Sequence, residues 1–251
     1  MPQPTSFTRH IPNFTSLLNL SSGYLSIFFC LQGELHLASW MVFLAVVFDF
    51  LDGFLARFFH AQSELGKQLD SLADVVSFGI APALLLLKLF QLSYILSYGA
   101  PAFEDLLIYE KIFLFSTVFI PVASAYRLAK FNIDPDQKDK FLGLPTPANG
   151  IFIASYVLII LQNEKVDLNI YLLNPFFLFF LNIFLSAMMV SRVPMFAIKF
   201  NNYYWKENRL RYVFIGISFI LVMLFRLVAL PVIILLYIIV SAGYFLKQNR
   251  T

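Results

Sequence analysis

The sequence predicts an all-α membrane protein, a bundle of about eight transmembrane helices with both termini cytoplasmic. Three observations carry this. The 251 residues are 59% hydrophobic and only 13% charged, with thirty Phe and a mean hydropathy of +0.76, a composition that excludes an ordinary soluble domain. Apolar runs long enough to cross about 30 Å of hydrocarbon recur between short polar connectors. With the N-terminus inside, fourteen of the eighteen Lys and Arg fall on the inner side, leaving Lys88, Lys111, Lys165 and Arg226 outside.

The spans are expected at 14–32, 37–59, 69–92, 107–130, 147–161, 168–190, 212–228 and 230–246. The first opens on Ile11-Pro12-Asn13-Phe14-Thr15, which offers an N-cap and a helix start, and Asn19 and Gly23 follow Thr15 on one face at four-residue spacing. The polar residues Met1 to Pro12 lead into it without a small-residue cleavage site, so no removable signal peptide is expected. Cys30 has no partner for a disulfide and reads as a small core residue. In the third span Pro82 interrupts regular hydrogen bonding, so a kink is expected there. The fourth ends in Arg127-Leu128-Ala129-Lys130-Phe131-Asn132, where Arg127 can fork a carboxylate or a phosphate, or serve as an ordinary inside anchor. The seventh and eighth divide near Arg226 and Pro231. Two units result: 1–200, six helices carrying the active site, and 201–251, a cytoplasmic loop with two C-terminal helices. A net charge of +3 is small, and no nucleic-acid partner is expected.

The chemistry is concentrated between Asp49 and Asp74. Asp49, Asp52, Gly53, Ala56 and Arg57 fall on one face of the second helix, while Asp70 and Asp74 stack on one face of the third with Gly66 a turn before them. A short polar turn around His60 to Lys67 should set the two helices antiparallel and side by side, so that four carboxylates converge. Each ionised Asp deep in a bilayer costs roughly 2.5–3.5 kcal/mol on insertion scales and needs compensation. Convergent oxygens without a His or Cys set suit Mg²⁺ or Mn²⁺, and two such ions can clamp a phosphoanhydride. Gly53, Ala56 and Gly66 are small where a helix or ligand comes close, and Arg57 is a phosphate fork. A lone intramembrane Asp often serves a proton relay or a helix–helix hydrogen bond, but neither role needs the arginine and glycines at these spacings.

The pattern D-x-x-D-G-x-x-A-R-x8-G-x-x-x-D-x-x-x-D resembles the signature of the CDP-alcohol phosphotransferases, and all eight of its fixed positions match here. The flanking runs D-S-L-A-D-V-V-S-F-G-I-A-P-A, I-P-N-F-T-S-L-L-N-L-S-S-G, R-L-A-K-F-N and F-x-G-L-P-T-P-A-N-G resemble the membrane-embedded phosphatidylserine synthases of bacteria and archaea, as does the later Met189-Val190-Ser191 with Pro194 and Lys199. The resemblance runs to about Lys199, and the last two helices share only hydropathy with it. It departs at Asn149, where an alanine is expected.

The resemblance implies transfer of a phosphatidyl group from CDP-diacylglycerol to L-serine, giving phosphatidylserine and CMP in the inner membrane, with the active site facing the cytoplasm. It implies Asp49, Asp52, Asp70 and Asp74 as ligands of two ions, with Asp74 also the general base. It assigns Asp52, Gly53, Ala56, Arg57 and Gly66 to the CDP pocket. By their own positions Thr15 and Asn19 can contact the nucleotide or the second helix, or serve helix packing, and Arg127, Lys130 and Asn132 are the acceptor candidates. The resemblance also implies a homodimer through the later helices, among membrane lipids. No Cys or His beside the cluster suggests a covalent intermediate, so a single displacement is expected. Three alternatives are open at this point. Glycerol 3-phosphate or inositol phosphate as acceptor would want more arginines near the site. A cation or proton-coupled transporter would want inverted repeats and broken helices around the carboxylates. A scaffold would explain none of the four Asp.

Overall fold

A computed structural model describes residues 6–99, 101–133, 141–162, 166–196 and 204–248. Among them five stretches are long and apolar enough to cross a membrane: His10–Leu31, Leu35–Phe58, Glu64–Tyr98, Ile108–Ile133 and Asn208–Tyr244. Two shorter apolar helices, Thr146–Gln162 and Pro175–Val190, complete the bundle, the second with Phe176, Phe177, Phe180 and Phe184 exposed on its outer face. The architecture is all-α, as expected.

Helix α1 (Ser6–Leu31) begins earlier than the sequence suggests, and Pro12 lies inside it rather than before its first turn. The hydroxyls of Thr15 and Ser16 both donate to the Pro12 carbonyl, at 2.7 and 3.2 Å, which binds the local backbone through side chains where a proline has disturbed the ladder. A tight turn at Gly33, with φ of 84°, leads to α2 (Leu35–Phe58). The two helices pack intimately along their small faces, and Ser26 donates to the Ala38 carbonyl at 2.8 Å.

After a turn at residues 59–63, Ser63 caps α3 (Glu64–Asp74) by accepting from the Gly66 amide. The chain then continues through a π-helical segment, Val75–Ile80, into α4 (Ala81–Tyr98). The interruption of regular hydrogen bonding expected at Pro82 takes this form. A proline in the first turn of α4 has no N–H to give, and the widened turns just before it absorb the mismatch. Phe78 and Gly79 are buried in this segment.

Two spans expected to be continuous are interrupted. The fourth is α5 (Ile108–Ser116) followed by α6 (Phe119–Ile133), broken at Thr117–Val118, and the buried Asn182 amide donates to both the carbonyl and the hydroxyl of Ser116 at the break. The sixth splits into α8 (Val166–Leu172) and α9 (Pro175–Val190). Asn174 caps α9 by accepting from the amides of Phe176 and Phe177, and Pro175 occupies its first turn. Asn-Pro disfavours a continuous helix, a signal that the hydropathy reading passed over.

Between them α7 (Thr146–Gln162) is buried on nearly every side, against α2, α4, the π-helical segment and the last helix. Gly150 lets it approach Phe78 and Val42, since a Cβ there would lie 2.9 Å from the Phe78 ring. A two-residue ribbon, β1 (Phe141–Leu142) against β2 (Pro194–Met195), ties the entry of α7 to the exit of α9. The chain closes with α10 (Trp205–Phe225), a 3₁₀ turn at Arg226–Val228 and α11 (Ala229–Gln248). The rings of Phe214 and Tyr237 meet at a tilt with centroids 5.9 Å apart, so α10 and α11 fold back on each other as a hairpin. The expected division near Arg226 is found, with Arg226 itself at φ 51°. The expected unit boundary at 200/201 and Lys138, Lys140, Lys165 and Lys199 lie outside the described residues.

Candidate active site

The site forms where α1, α2 and α3 meet. Asp49, Asp70 and Asp74 each offer a carboxylate oxygen, and the three oxygens lie within 4.8 Å of one another. Asp49 precedes the end of α2 by nine residues, about 14 Å of helix, which sets the cluster well inside the bundle. The convergence expected of the motif is therefore present for three carboxylates.

The fourth, Asp52, is not among the three converging oxygens, but its charge acts on all three of those carboxylates. Asp52, 5% exposed, lies one turn beyond Asp49 and accepts a 2.6 Å hydrogen bond from the Ser16 hydroxyl. Asp74, also 5% exposed, accepts from the Asn19 amide at 3.1 Å. Thus α1 contributes one polar side chain to an aspartate on each motif helix. The two motif helices touch each other little; α1 packs against both and joins them, in place of the direct side-by-side contact expected. Gly23 makes this possible. A Cβ on Gly23 would lie 2.8 Å from Ser77 Cα and would collide with the Ser77 hydroxyl, which donates to the Asn19 carbonyl at 2.9 Å.

Asn19 is thus in place. Thr15 is buried beside it, but its hydroxyl is committed to the Pro12 carbonyl. Ser16 was missed by the sequence reading, although it sits one turn before Leu20 on the same polar side of α1 as Asn19; only contact with Asp52 marks it.

On the motif's open side, Gly53, Ala56 and the exposed Arg57 continue the face of Asp49 and Asp52. The Arg57 guanidinium folds back over Gly53, with both terminal nitrogens 3.8 Å from where a Cβ would stand. Gly66 faces Asn13, whose Oδ1 would be 2.9 Å from a Cβ at that position. Gly53 and Gly66 are thus small where the Arg57 guanidinium and the Asn13 side chain come close.

The three acceptor candidates do not form one group. Arg127 and Lys130 line a small chamber of about 10 Å³ with Tyr126, Leu142, Met189, Val190 and Ser191, room for about one water molecule. Arg127 is half-buried, interacts electrostatically with Asp74 and with Tyr237, and its Nε has no hydrogen-bond partner. Asn132 instead braces α3: its amide donates to the Ser71 hydroxyl at 2.8 Å, and its carbonyl accepts from the Lys67 ammonium at 2.8 Å. Asn149, the departure from the family pattern, is fully buried near the start of α7, and neither end of its amide is bonded.

The cluster fits a hard divalent cation. Its donors are all carboxylate oxygens, and Asp70 Oδ1 is buried without a hydrogen-bond partner, an expensive condition for a carboxylate that a bound cation relieves. Zinc would call for nitrogen or sulfur ligands, and none is in the group.

Comparison with known proteins agrees with this arrangement. Residues 9–190 match the profile of the CDP-alcohol phosphatidyltransferases. An archaetidylserine synthase of Methanothermobacter thermautotrophicus is 35% identical over 159 residues, which cover 61% of this chain and 60% of that protein. CDP-diacylglycerol–serine O-phosphatidyltransferases of Helicobacter pylori and Bacillus subtilis are each 30% identical over 184 residues. Those matches cover 72% and 73% of this chain, and 70% and 88% of the relatives. The matched segment spans every element that carries an aspartate of the cluster, and the chain belongs to the CDP-alcohol phosphatidyltransferase family.

Proposed function

We propose that this protein transfers the phosphatidyl group of CDP-diacylglycerol to the hydroxyl of L-serine, releasing CMP. The observation that carries the reading is the convergence of Asp49, Asp70 and Asp74 inside an apolar bundle of this family, together with relatives named for that reaction. The serine oxygen bonds to the phosphorus that bears the diacylglycerol, and the bond from that phosphorus to the CMP oxygen breaks. The electron pair leaves with CMP, and the serine hydroxyl proton passes to a carboxylate.

Asp74 is assigned as that base. It faces the chamber side of the cluster through Arg127, and Asn19 fixes the orientation of its carboxylate. Asp49, Asp70 and Asp74 would hold the metal, with Asp52 completing a two-ion Mg²⁺ or Mn²⁺ site. When bound, such ions neutralise charge on the anhydride and on the leaving phosphate. Gly53, Ala56, Arg57 and Gly66 bound the nucleotide space, with Asn19 and Thr15 behind it. Arg127 binds the serine carboxylate and Lys130 adds charge to the same chamber. Asn132 contributes by fixing α3 to α6.

The same reading takes residues 1–200 as the catalytic unit and 201–251 as an added hairpin. It takes eight crossings in all, for which the hairpin and the two short helices α7 and α9 give support. Both termini and the active site then face the cytoplasm of the inner membrane, as the Lys and Arg distribution favours. A homodimer through the later helices belongs to it, and mass measurement in nanodiscs tests that element.

The deciding experiment is CMP release from CDP-diacylglycerol by purified protein in detergent, with Mn²⁺ or Mg²⁺ present or chelated, and with serine, glycerol 3-phosphate or no acceptor. Release that needs both metal and serine is the expected result. Release with glycerol 3-phosphate and not with serine overturns the acceptor assignment. Absence of release with any acceptor overturns the reaction.

A further inference from the structure

Three consecutive residues of the π-helical segment face three different helices. The Ser77 hydroxyl donates to the Asn19 carbonyl of α1 at 2.9 Å. Phe78 lies against Gly150 of α7, where a Cβ would stand 3.5 Å from Phe78 Cβ and 3.5 Å from Val42 of α2. Gly79 lies against α6, where its own Cβ would stand 3.3 Å from Pro121 Cα and 3.2 Å from Ser124 Cβ. Having met this segment near its start, α7 continues along α4, which follows the segment in the chain, so the two run parallel. One turn back from the Phe78–Gly150 contact stand Asp74 on one helix and Thr146 on the other, each four residues earlier. Asp74 therefore lies between α1, from which the Asn19 amide donates to it at 3.1 Å, and the first turn of α7.

Thr146 is fully buried, and its hydroxyl has no hydrogen-bond partner among the described residues. A hydroxyl can donate one bond and accept two, and leaving all of them unmade in an interior is costly. The same turn carries backbone donors. The first bond of α7 runs from the Asn149 amide to the Pro145 carbonyl at 3.1 Å, so the amides of Thr146 and Ala148 have no carbonyl of their own helix to meet, and Pro147 has no N–H. Donors gathered at the positive end of a helix suit an anionic oxygen. We propose that Thr146 donates to a non-bridging oxygen of the phosphate being transferred, making the start of α7 an oxyanion site across from the aspartate cluster. This rests on the phosphatidyl-transfer reading above. In that reading the phosphorus is attacked beside Asp74, which takes the serine proton, and charge lies on two non-bridging oxygens while the serine bond forms and the CMP bond breaks. The aspartate cluster serves one side of that phosphate. A donor already in place on the other, where water is excluded, stabilises the charge without rearranging.

The test is Thr146→Val in the whole chain, which puts a methyl of the same shape in place of the hydroxyl, beside Thr146→Ser, which keeps the hydroxyl. In Thr146→Val, kcat for CMP release should fall by about 10- to 100-fold, with KM for CDP-diacylglycerol and for serine each within about twofold of the parent. Its melting temperature without substrate should be equal or higher, because the hydroxyl has no partner in the fold to lose. Thr146→Ser should recover most of the rate. An unchanged kcat in Thr146→Val overturns the proposal, and a lower melting temperature beside it assigns the hydroxyl to the fold or to a trapped water. A raised serine KM at unchanged kcat also overturns it, in favour of a contact with the acceptor's carboxylate. If the parent enzyme uses another acceptor and not serine, the serine reading falls, and kcat of Thr146→Val with that acceptor still decides the role of Thr146. Absence of release from the parent with any acceptor overturns both.

Discussion

Substituting Gly23 by alanine should disable the enzyme from a distance, because Gly23 sets how closely α1 approaches the segment that follows Asp74. An added Cβ would stand 2.8 Å from Ser77 Cα, a backbone atom that cannot swing aside, whereas ordinary contact begins at 3.4 Å. The helices must therefore part by about 0.6 Å at this level. One turn away, the Asn19 amide reaches Asp74 across 3.1 Å, and the same displacement carries it to about 3.7 Å, beyond hydrogen-bonding range. A hydrogen bond to a charged group contributes about 1.5–3 kcal/mol, so kcat/KM for CMP release should fall by about 10- to 150-fold. Asn19→Ala removes the same bond directly and should match Gly23→Ala in size, and the double variant should be little worse than either. Retention of more than half of wild-type kcat/KM by Gly23→Ala, with Asn19→Ala impaired, would refute the reasoning. So would multiplicative losses in the double variant.

Other outcomes follow from the same geometry. Chelating divalent cations should abolish CMP release, and Mn²⁺ or Mg²⁺ should restore it; Asp49→Asn, Asp70→Asn and Asp74→Asn should each fall at least 100-fold and raise the metal concentration needed for half-maximal rate. Ser16→Ala leaves the buried Asp52 carboxylate without its 2.6 Å partner, and a loss of about tenfold in kcat/KM is expected in the same assay. Gly143→Ala places a side chain at φ 74° against the carbonyls of Met188, Met189 and Ser191, so the melting temperature in detergent should drop, with backbone strain alone costing about 1–2 kcal/mol. Arg127→Ala should raise the KM for serine by about 10- to 100-fold with a much smaller effect on the KM for CDP-diacylglycerol.

The aspartates and small residues of the motif were legible because their spacing maps directly onto helix faces and needs no knowledge of neighbours. Composition likewise settled the class of fold, since thirty Phe and long apolar runs have few soluble solutions. The breaks at Thr117–Val118 and Asn174-Pro175 were less legible, because hydropathy averages across them while the chain responds to single caps and single unpaired carbonyls. Pro12 misled in the opposite direction: a proline near a helix start reads as its beginning, yet here Thr15 and Ser16 bond to its carbonyl within a longer helix.

What the sequence by itself determined is a helical membrane protein with a carboxylate cluster on its second and third spans, because helical periodicity and the cost of buried charge are local properties. Only the tertiary structure decided that α1 joins the two motif helices, that Ser16 and Asn19 each hold one aspartate, and that Asp49, Asp70 and Asp74 are the three whose oxygens converge. It also brought Tyr237 from the far end of the chain to the Phe196 carbonyl. These pairings join residues 36, 55 and 41 positions apart in the chain, and no local periodicity encodes which distant helices will meet; close packing of small residues across the bundle selects them.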